Sequence, residues 1–302
     1  MTISNHVYRG VEGRVTKTPD TLPSELGPKE VLLRITHASL CGTDLHIVHL
    51  GIALGHEGVG IVEKTGSDVT QLKVGDRAGA CGSCQYCLKG EETYCYLREG
   101  YAENGFNKGT FGDYYIGIET YLHKIPDSMA SEHAAPLQCA GSTVYTALVS
   151  SIKPGDRVGV IGIGGLGHLA IQFSSKFGAE TIAFSTSPSK EAEARSFGAS
   201  EFYLLSEPEK IKRPLNVLII AGNGYPDWAK SWPVFFDGYQ LKSTIVGSRA
   251  VHKDMLAFAA HHNIKPTIEK FELSEEGLTQ AVDKMQNGSL RYRAVLVRSE
   301  EA

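Results

Sequence analysis

Missing from the 302 residues is any uninterrupted run of 18 apolar side chains, and the opening Met1-Thr-Ile-Ser-Asn-His-Val-Tyr-Arg-Gly10 lacks the apolar centre of a secretory leader. Neither a membrane span nor a cleaved leader is expected, and a cytoplasmic location follows as the default. Long Lys or Arg runs are missing too, and 30 basic against 34 acidic side chains leave a net charge of −4. Nucleic acid and anionic membranes call for a basic footprint, so neither is an expected partner, and a small molecule is. Internal repeats and low-complexity tracts are absent. With 42% apolar and 21% charged residues, disordered and fibrous classes are excluded, and the length suffices for two domains with substantial cores.

Cysteine is scarce, with six in all, but four are crowded into Cys81-Gly-Ser-Cys84-Gln-Tyr-Cys87 and Cys95. Thiols stay reduced in a cytosolic protein, so each must be weighed as a metal ligand or a catalytic group. Four thiolates at these spacings can converge on one tetrahedral zinc ion and clip a lobe together. A disulfide pair, or unrelated buried thiols, is the alternative. The two remaining cysteines sit in Cys41-Gly-Thr43-Asp44 and Pro136-Leu-Gln-Cys139-Ala-Gly, with a histidine in Gly55-His56-Glu57-Gly58. Two thiolates and an imidazole form a soft ligand set that leaves a fourth zinc position open. Singly, each could be a buried hydrophobe or a hydrogen-bonded core histidine.

Up to about residue 145 the chain reads as β-rich. Val31 to Leu40, after a Gly27-Pro28 turn, has the partial alternation of a half-buried strand, and short runs at Gly58–Gly66 and Leu72–Ala78 are divided by Gly and Asp. A compact barrel or sandwich is expected. From Thr146 the texture changes. Asp156-Arg-Val-Gly-Val-Ile-Gly-Ile-Gly-Gly-Leu-Gly-His168 is a buried strand entering a glycine turn, followed by a helical face of Leu166, Leu169, Ala170, Phe173 and Phe177. Strands at Thr181–Ser185 and Asn216–Ile220, with a helix at Lys190–Phe197 between them, complete a strand–helix alternation that predicts a doubly wound parallel sheet. A strand-like Ser243–Gly247, helices over Val251–His262 and after Ser274, and a last strand at Ala294–Val297 follow.

Gly162-Ile-Gly164-Gly165-Leu166-Gly167 lies between predicted strand and predicted helix, where backbone amides can approach a pyrophosphate at the helix N-terminus. The next strand ends in Ser185, Thr186 and Ser187, followed by Lys190, where an NAD-binding chain would carry an acidic residue. Hydroxyls and an ammonium suit a 2′-phosphate. NADP(H) is therefore favoured over NAD(H), a plain polar loop and helix cap being the alternative.

Taken together, Cys41-Gly-Thr-Asp-Leu-His46, Gly55-His-Glu-Gly58, the lobe of Cys81, Cys84, Cys87 and Cys95, Cys139-Ala-Gly-Ser-Thr-Val-Tyr145 and the glycine turn resemble the zinc-dependent alcohol dehydrogenases of the medium-chain dehydrogenase/reductase superfamily, cinnamyl alcohol dehydrogenase-like branch. The resemblance runs from about residue 5 to 297. It implies a GroES-like β-barrel catalytic domain (1–145 and 249–302) and a doubly wound Rossmann cofactor domain (146–248). It further implies two Zn²⁺ per chain, a catalytic one on Cys41, His56 and Cys139 with Glu57 beside it, and a structural one in the cysteine lobe. Thr43 would bond the substrate oxygen and His46 would end a proton relay. Medium-sized or aromatic alcohols and aldehydes, and a homodimer, belong to the same expectation. A reductase of iminium or conjugated alkene substrates, or a non-catalytic cofactor-binding relative, are the alternatives. Two departures stand out: a short link from Arg77 to Cys81, and only 24 residues between Ile220 and Ile245, which leave no room for one sheet strand near Lys230-Ser231.

Overall fold

A computed structural model describes residues 1–78, 108–207, 210, 213–221, 244 and 246–301. The cysteine lobe, the rest of the link from Arg77 to Cys81, the Lys230-Ser231 stretch, Ser243 and Ile245 lie outside the described residues. The chain divides into two compact units, residues 1–142 with 247–302, and residues 143–246.

In the first unit, β1 (Thr2–Val11) and β2 (Arg14–Pro23) form a ribbon. Its two-residue connection places Glu12 and Gly13 at φ 49° and 77°, the left-handed geometry that matches strand twist in tight hairpins. A second sheet is built on β3 (Glu30–Leu40), which is followed by α1 (Gly42–Ile47), β4 (Glu57–Thr65), β5 (Arg77–Ala78) and β6 (Tyr114–Ile118). One edge of β3 pairs with β4; its other edge pairs with β6 over Glu30 to Arg34 and with the last strand over His37 to Leu40. Flanked on both sides and packed among Tyr8, Phe111, Leu278 and Leu296, β3 is almost wholly buried, not half-buried as its alternation suggested. The expected run at Leu72 to Ala78 forms a strand only at its last two residues.

The chain then enters α2 (Ser131–Pro136), a widened π-type turn over Leu137–Gly141, and α3 (Ser142–Val149). In the second unit, β7 (Arg157–Ile161), α4 (Gly167–Lys176), β8 (Glu180–Ser185), α5 (Glu191–Ser196), β9 (Glu201–Leu204) and β10 (Val217–Ile220) give a four-stranded sheet, order β10-β7-β8-β9, parallel throughout. The order reverses beside β7, so the turn after Ile161 sits at the switch point where open parallel sheets bind ligands. Back in the first unit, α6 (Arg249–His261), β11 (Ile268–Glu272), α7 (Glu275–Gln286) and β12 (Arg293–Val297) complete the chain, β12 pairing with β3. α7 starts where Ser274 accepts the Gly277 N–H at 3.1 Å, and it buries Leu278, Ala281 and Val282 as its spacing predicts.

Charge aligns the parallel strands at their starts. Arg157 opens β7 with Glu180 and Glu201 at 2.6 and 2.9 Å, and Arg213 closes on both carboxylates. The Arg157 bond, then the Tyr203 hydroxyl, hold Glu201 down from 4.5 to about 2. A carboxylate depressed on folding contributes stability above its unfolded value and loses it as pH falls through the folded one. Glu201→Gln is therefore expected to cost about 1–2 kcal/mol at pH 7, allowing for solvent screening, and almost nothing near pH 2. Urea unfolding at several pH values checks this; a pH-independent difference would refute it.

Candidate functional site

One end of the large sheet gathers residues far apart in sequence. β3 runs out at Leu40 into Cys41, β4 begins at Glu57 just after His56, and β12 begins at Arg293. Register fixes their proximity, since Ser39 pairs with Glu57 and Leu40 with Ala294. Pro136 leads into the widened turn that presents Cys139. A π-type turn of this kind spends one extra residue to re-aim a side chain and is frequent at functional sites. The ligand atoms of Cys41, His56, Glu57 and Cys139 thereby lie within 4.8 Å of one another.

Local chemistry orients them. Asp44, buried in α1, accepts the Cys41 N–H at 2.9 Å through one oxygen, and through the other faces the Gly55 N–H at 3.1 Å and His56 Nδ1 at 3.3 Å. A carboxylate at Nδ1 keeps the proton there and leaves the lone pair of the neutral ring on Nε2, as in carboxylate–histidine–metal arrangements. Gly55 is required here: its φ is +94°, and a Cβ would meet the Phe111 backbone nitrogen at 2.6 Å. Glu57, fully buried, accepts the Ala140 N–H at 3.3 Å and is ion-paired with Arg293, whose guanidinium also donates to Ser39 Oγ at 3.0 Å.

Protons are shared within the cluster. The hydrogen bond given by Cys139 favours the Cys41 thiolate and holds its pKa well down, while giving that bond, together with burial, pushes Cys139 up. Burial opposes the His56 cation, but Asp44 and Cys41 outweigh it and raise its pKa. Burial lifts Glu57 to about 7 against the pull of Arg293. Two sulfurs, one imidazole nitrogen and one carboxylate oxygen at this separation fit a tetrahedral zinc ion, whose binding would expel those shared protons.

Thr43 and His46, both exposed, lie three residues apart in α1 and so on one face, and Thr43 Oγ1 is 3.8 Å from Cys41 Sγ. In the second unit, the glycine turn is tight and open at its middle. Gly162 is at φ +88°, a Cβ on Gly167 would sit 1.7 Å from the Gly162 carbonyl oxygen, and a Cβ on Gly164 would meet nothing within 4 Å. The third glycine is thus needed for strand–helix packing, while the second leaves space for close approach by a ligand. Gly165 and Leu166 complete the turn into α4. Ser185 ends β8, its hydroxyl accepting the Ser187 N–H at 3.1 Å, with exposed Thr186 between them and Lys190 opening onto α5. Cys81, Cys84, Cys87 and Cys95 fall outside the described residues.

Sequence reasoning passed over Asp44, Ser39 and Arg293. Asp44 had a signal, standing three residues after Cys41 where a carboxylate can reach back to a helix's first N–H. Arg293 had one as well: a cation heading the otherwise apolar Arg293-Ala-Val-Leu-Val demands a buried partner.

Comparison with known proteins agrees with this architecture. Residues 27–127 match the alcohol dehydrogenase GroES-like domain family. The chain is 33% identical to an alcohol dehydrogenase of Geobacillus stearothermophilus over 90% of its length and 92% of that protein's. It is 28% identical to cinnamyl alcohol dehydrogenase 8 of Arabidopsis thaliana, across 90% of this chain and 89% of that one. A solved cinnamyl alcohol dehydrogenase of Sorghum bicolor superposes with a TM-score of 0.82 at 26% identity, covering 99% of both chains.

Proposed function

Because the chain belongs to the zinc-type alcohol dehydrogenases of the medium-chain dehydrogenase/reductase superfamily, cinnamyl alcohol dehydrogenase-like branch, we propose that it moves hydride between NADP(H) and a medium-sized or aromatic alcohol or aldehyde. It is an oxidoreductase acting on alcohols, and no helix among the described residues is long and apolar enough to cross a membrane. The observation that carries the finer reading is the convergence of Cys41, His56, Glu57 and Cys139.

In this reading Cys41, His56 and Cys139 hold a catalytic zinc, with Glu57 alongside. Such an ion supplies Lewis-acid polarisation of the substrate oxygen, and a nicotinamide supplies or takes the hydride. The chain's own residues do the rest. Asp44 fixes the imidazole of His56, Arg293 balances Glu57, and the Thr43 hydroxyl accepts the proton of the substrate's O–H as an alcohol is oxidised while giving up its own toward His46. His46, on the same helix face, takes up that proton at its ring nitrogen and passes it to solvent. The dinucleotide is assigned to unit 143–246, with its pyrophosphate at Gly162, Gly164, Gly165, Leu166 and Gly167. Ser185, Thr186, Ser187 and Lys190 suit a 2′-phosphate, since no carboxylate ends β8. A second, structural zinc on Cys81, Cys84, Cys87 and Cys95, and a homodimer, complete the proposal.

Elemental analysis combined with an NADPH-linked panel of aromatic and aliphatic aldehydes tests it. Two zinc equivalents per chain and NADPH consumption are expected; fewer than two, or no turnover, would sink it. By titration calorimetry NADPH should bind at least about tenfold more tightly than NADH, a difference of about 1.4 kcal/mol. Tighter binding of NADH would reverse the cofactor assignment.

A further inference from the structure

The turn that presents Cys139 has a second support that the reaction itself does not call for. Gln138 is buried between the apolar stretch Ala134-Ala-Pro-Leu137 and Cys139. Its amide nitrogen donates to the Ala134 carbonyl at 2.9 Å, and its oxygen faces His252 Nε2 at 3.1 Å. The direction is forced. A carbonyl can only accept, so the Ala134 contact must be made by the amide NH₂; the amide oxygen is then left to His252, which must carry its proton on Nε2. His252 comes from the first turns of α6, 114 residues away in sequence, and is almost wholly buried. Its ring stacks flat on that of His123, centroids 4.1 Å apart and planes 7° from parallel. The stacking fixes the plane of the ring, and within that plane Nε2 faces Gln138. Three segments of the first unit, around His123, around Gln138 and at the start of α6, thus meet on one side chain.

We propose that His252 and Gln138 are positioning residues for the catalytic metal, with His123 fixing the ring of His252. The geometry works through the chain: a widened turn is held at Ala134 by the Gln138 side chain, and the neighbouring Cys139 is thereby aimed at Cys41 and His56. Such outer partners typically change metal affinity by about 10–100-fold when removed. This rests on the zinc reading above, and the test separates the two.

The experiment uses the full chain, zinc-loaded and cobalt-substituted. His252→Phe keeps a ring against His123 and loses the donor, Gln138→Met keeps the volume and loses both polar atoms, and His252→Gln restores an N–H at similar reach. Metal loss to a chelator is followed well below the unfolding temperature, along with the thiolate-to-cobalt absorption band. His252→Phe and Gln138→Met are expected to release metal at least about tenfold faster and to shift the band, with His252→Gln returning within about threefold of the parent. Should His252→Phe fail to fold, Gln138→Met against His252→Gln carries the comparison. Parental release rates and an unshifted band in folded variants would overturn the inference while leaving the zinc reading intact. A parent chain that binds no cobalt through these thiolates would instead overturn the zinc reading.

Discussion

Replacing Cys139 by serine is expected to lower kcat/KM for alcohol oxidation by about 10³-fold or more and to remove one zinc equivalent, while circular dichroism stays unchanged. A Lewis acid stabilises developing charge on the substrate oxygen by several kcal/mol, and each 1.36 kcal/mol is tenfold in rate. Serine keeps the shape at the end of the widened turn, but its hydroxyl does not ionise as a thiol does, so the S₂N set becomes SN. Full activity with two zinc equivalents retained would remove Cys139, and with it the proposed centre, from the reaction. A loss of rate with both equivalents still bound would point to misplacement of the substrate instead.

Replacing Arg293 by leucine is expected to destabilise the protein by about 3–5 kcal/mol, because Glu57, 0% exposed, loses its counterion and must take up a proton to stay buried. Ser39 Oγ also loses the guanidinium that donates to it. A double change, Arg293→Leu with Glu57→Gln, removes the carboxyl that needs a counterion or a proton and should recover most of the loss, since deleting both members of a buried pair is often near neutral. Urea unfolding of the parent, both single variants and the double variant closes the cycle. If Arg293→Leu alone costs less than about 1 kcal/mol, the pair does not carry the burial of Glu57.

Much of the molecule follows from local rules. The alternation of apolar strand, glycine turn and amphipathic helix from Asp156 onward already specified a parallel sheet, because period and glycine dihedral preference act between near neighbours in sequence. The same holds for the cap at Ser274 and the apolar face of α7. Pro19 and Pro23 speak locally against a strand, yet among the described residues the two-stranded β1–β2 ribbon leaves one edge of β2 outside the ladder and tolerates them. The burial of β3 escapes local rules, since local alternation does not reveal that two different strands share its second edge.

At the site, residue chemistry named the candidates: two leftover cysteines and one histidine were legible as a soft ligand set by count alone. Their meeting was not. Cys41, His56 and Cys139 converge only because Ser39 pairs with Glu57 across β3 and β4 and because the widened turn brings in Cys139. Arg293 against Glu57, and His252 against Gln138, depend on burial, which sets the cost of a lone charge or an unmet carbonyl and is fixed only when distant segments pack. The chain's own order of residues thus settled which atoms could bind and which units would form; tertiary packing decided which of those atoms share one small volume, because proximity across such separations is created by strand pairing and core burial and by nothing local.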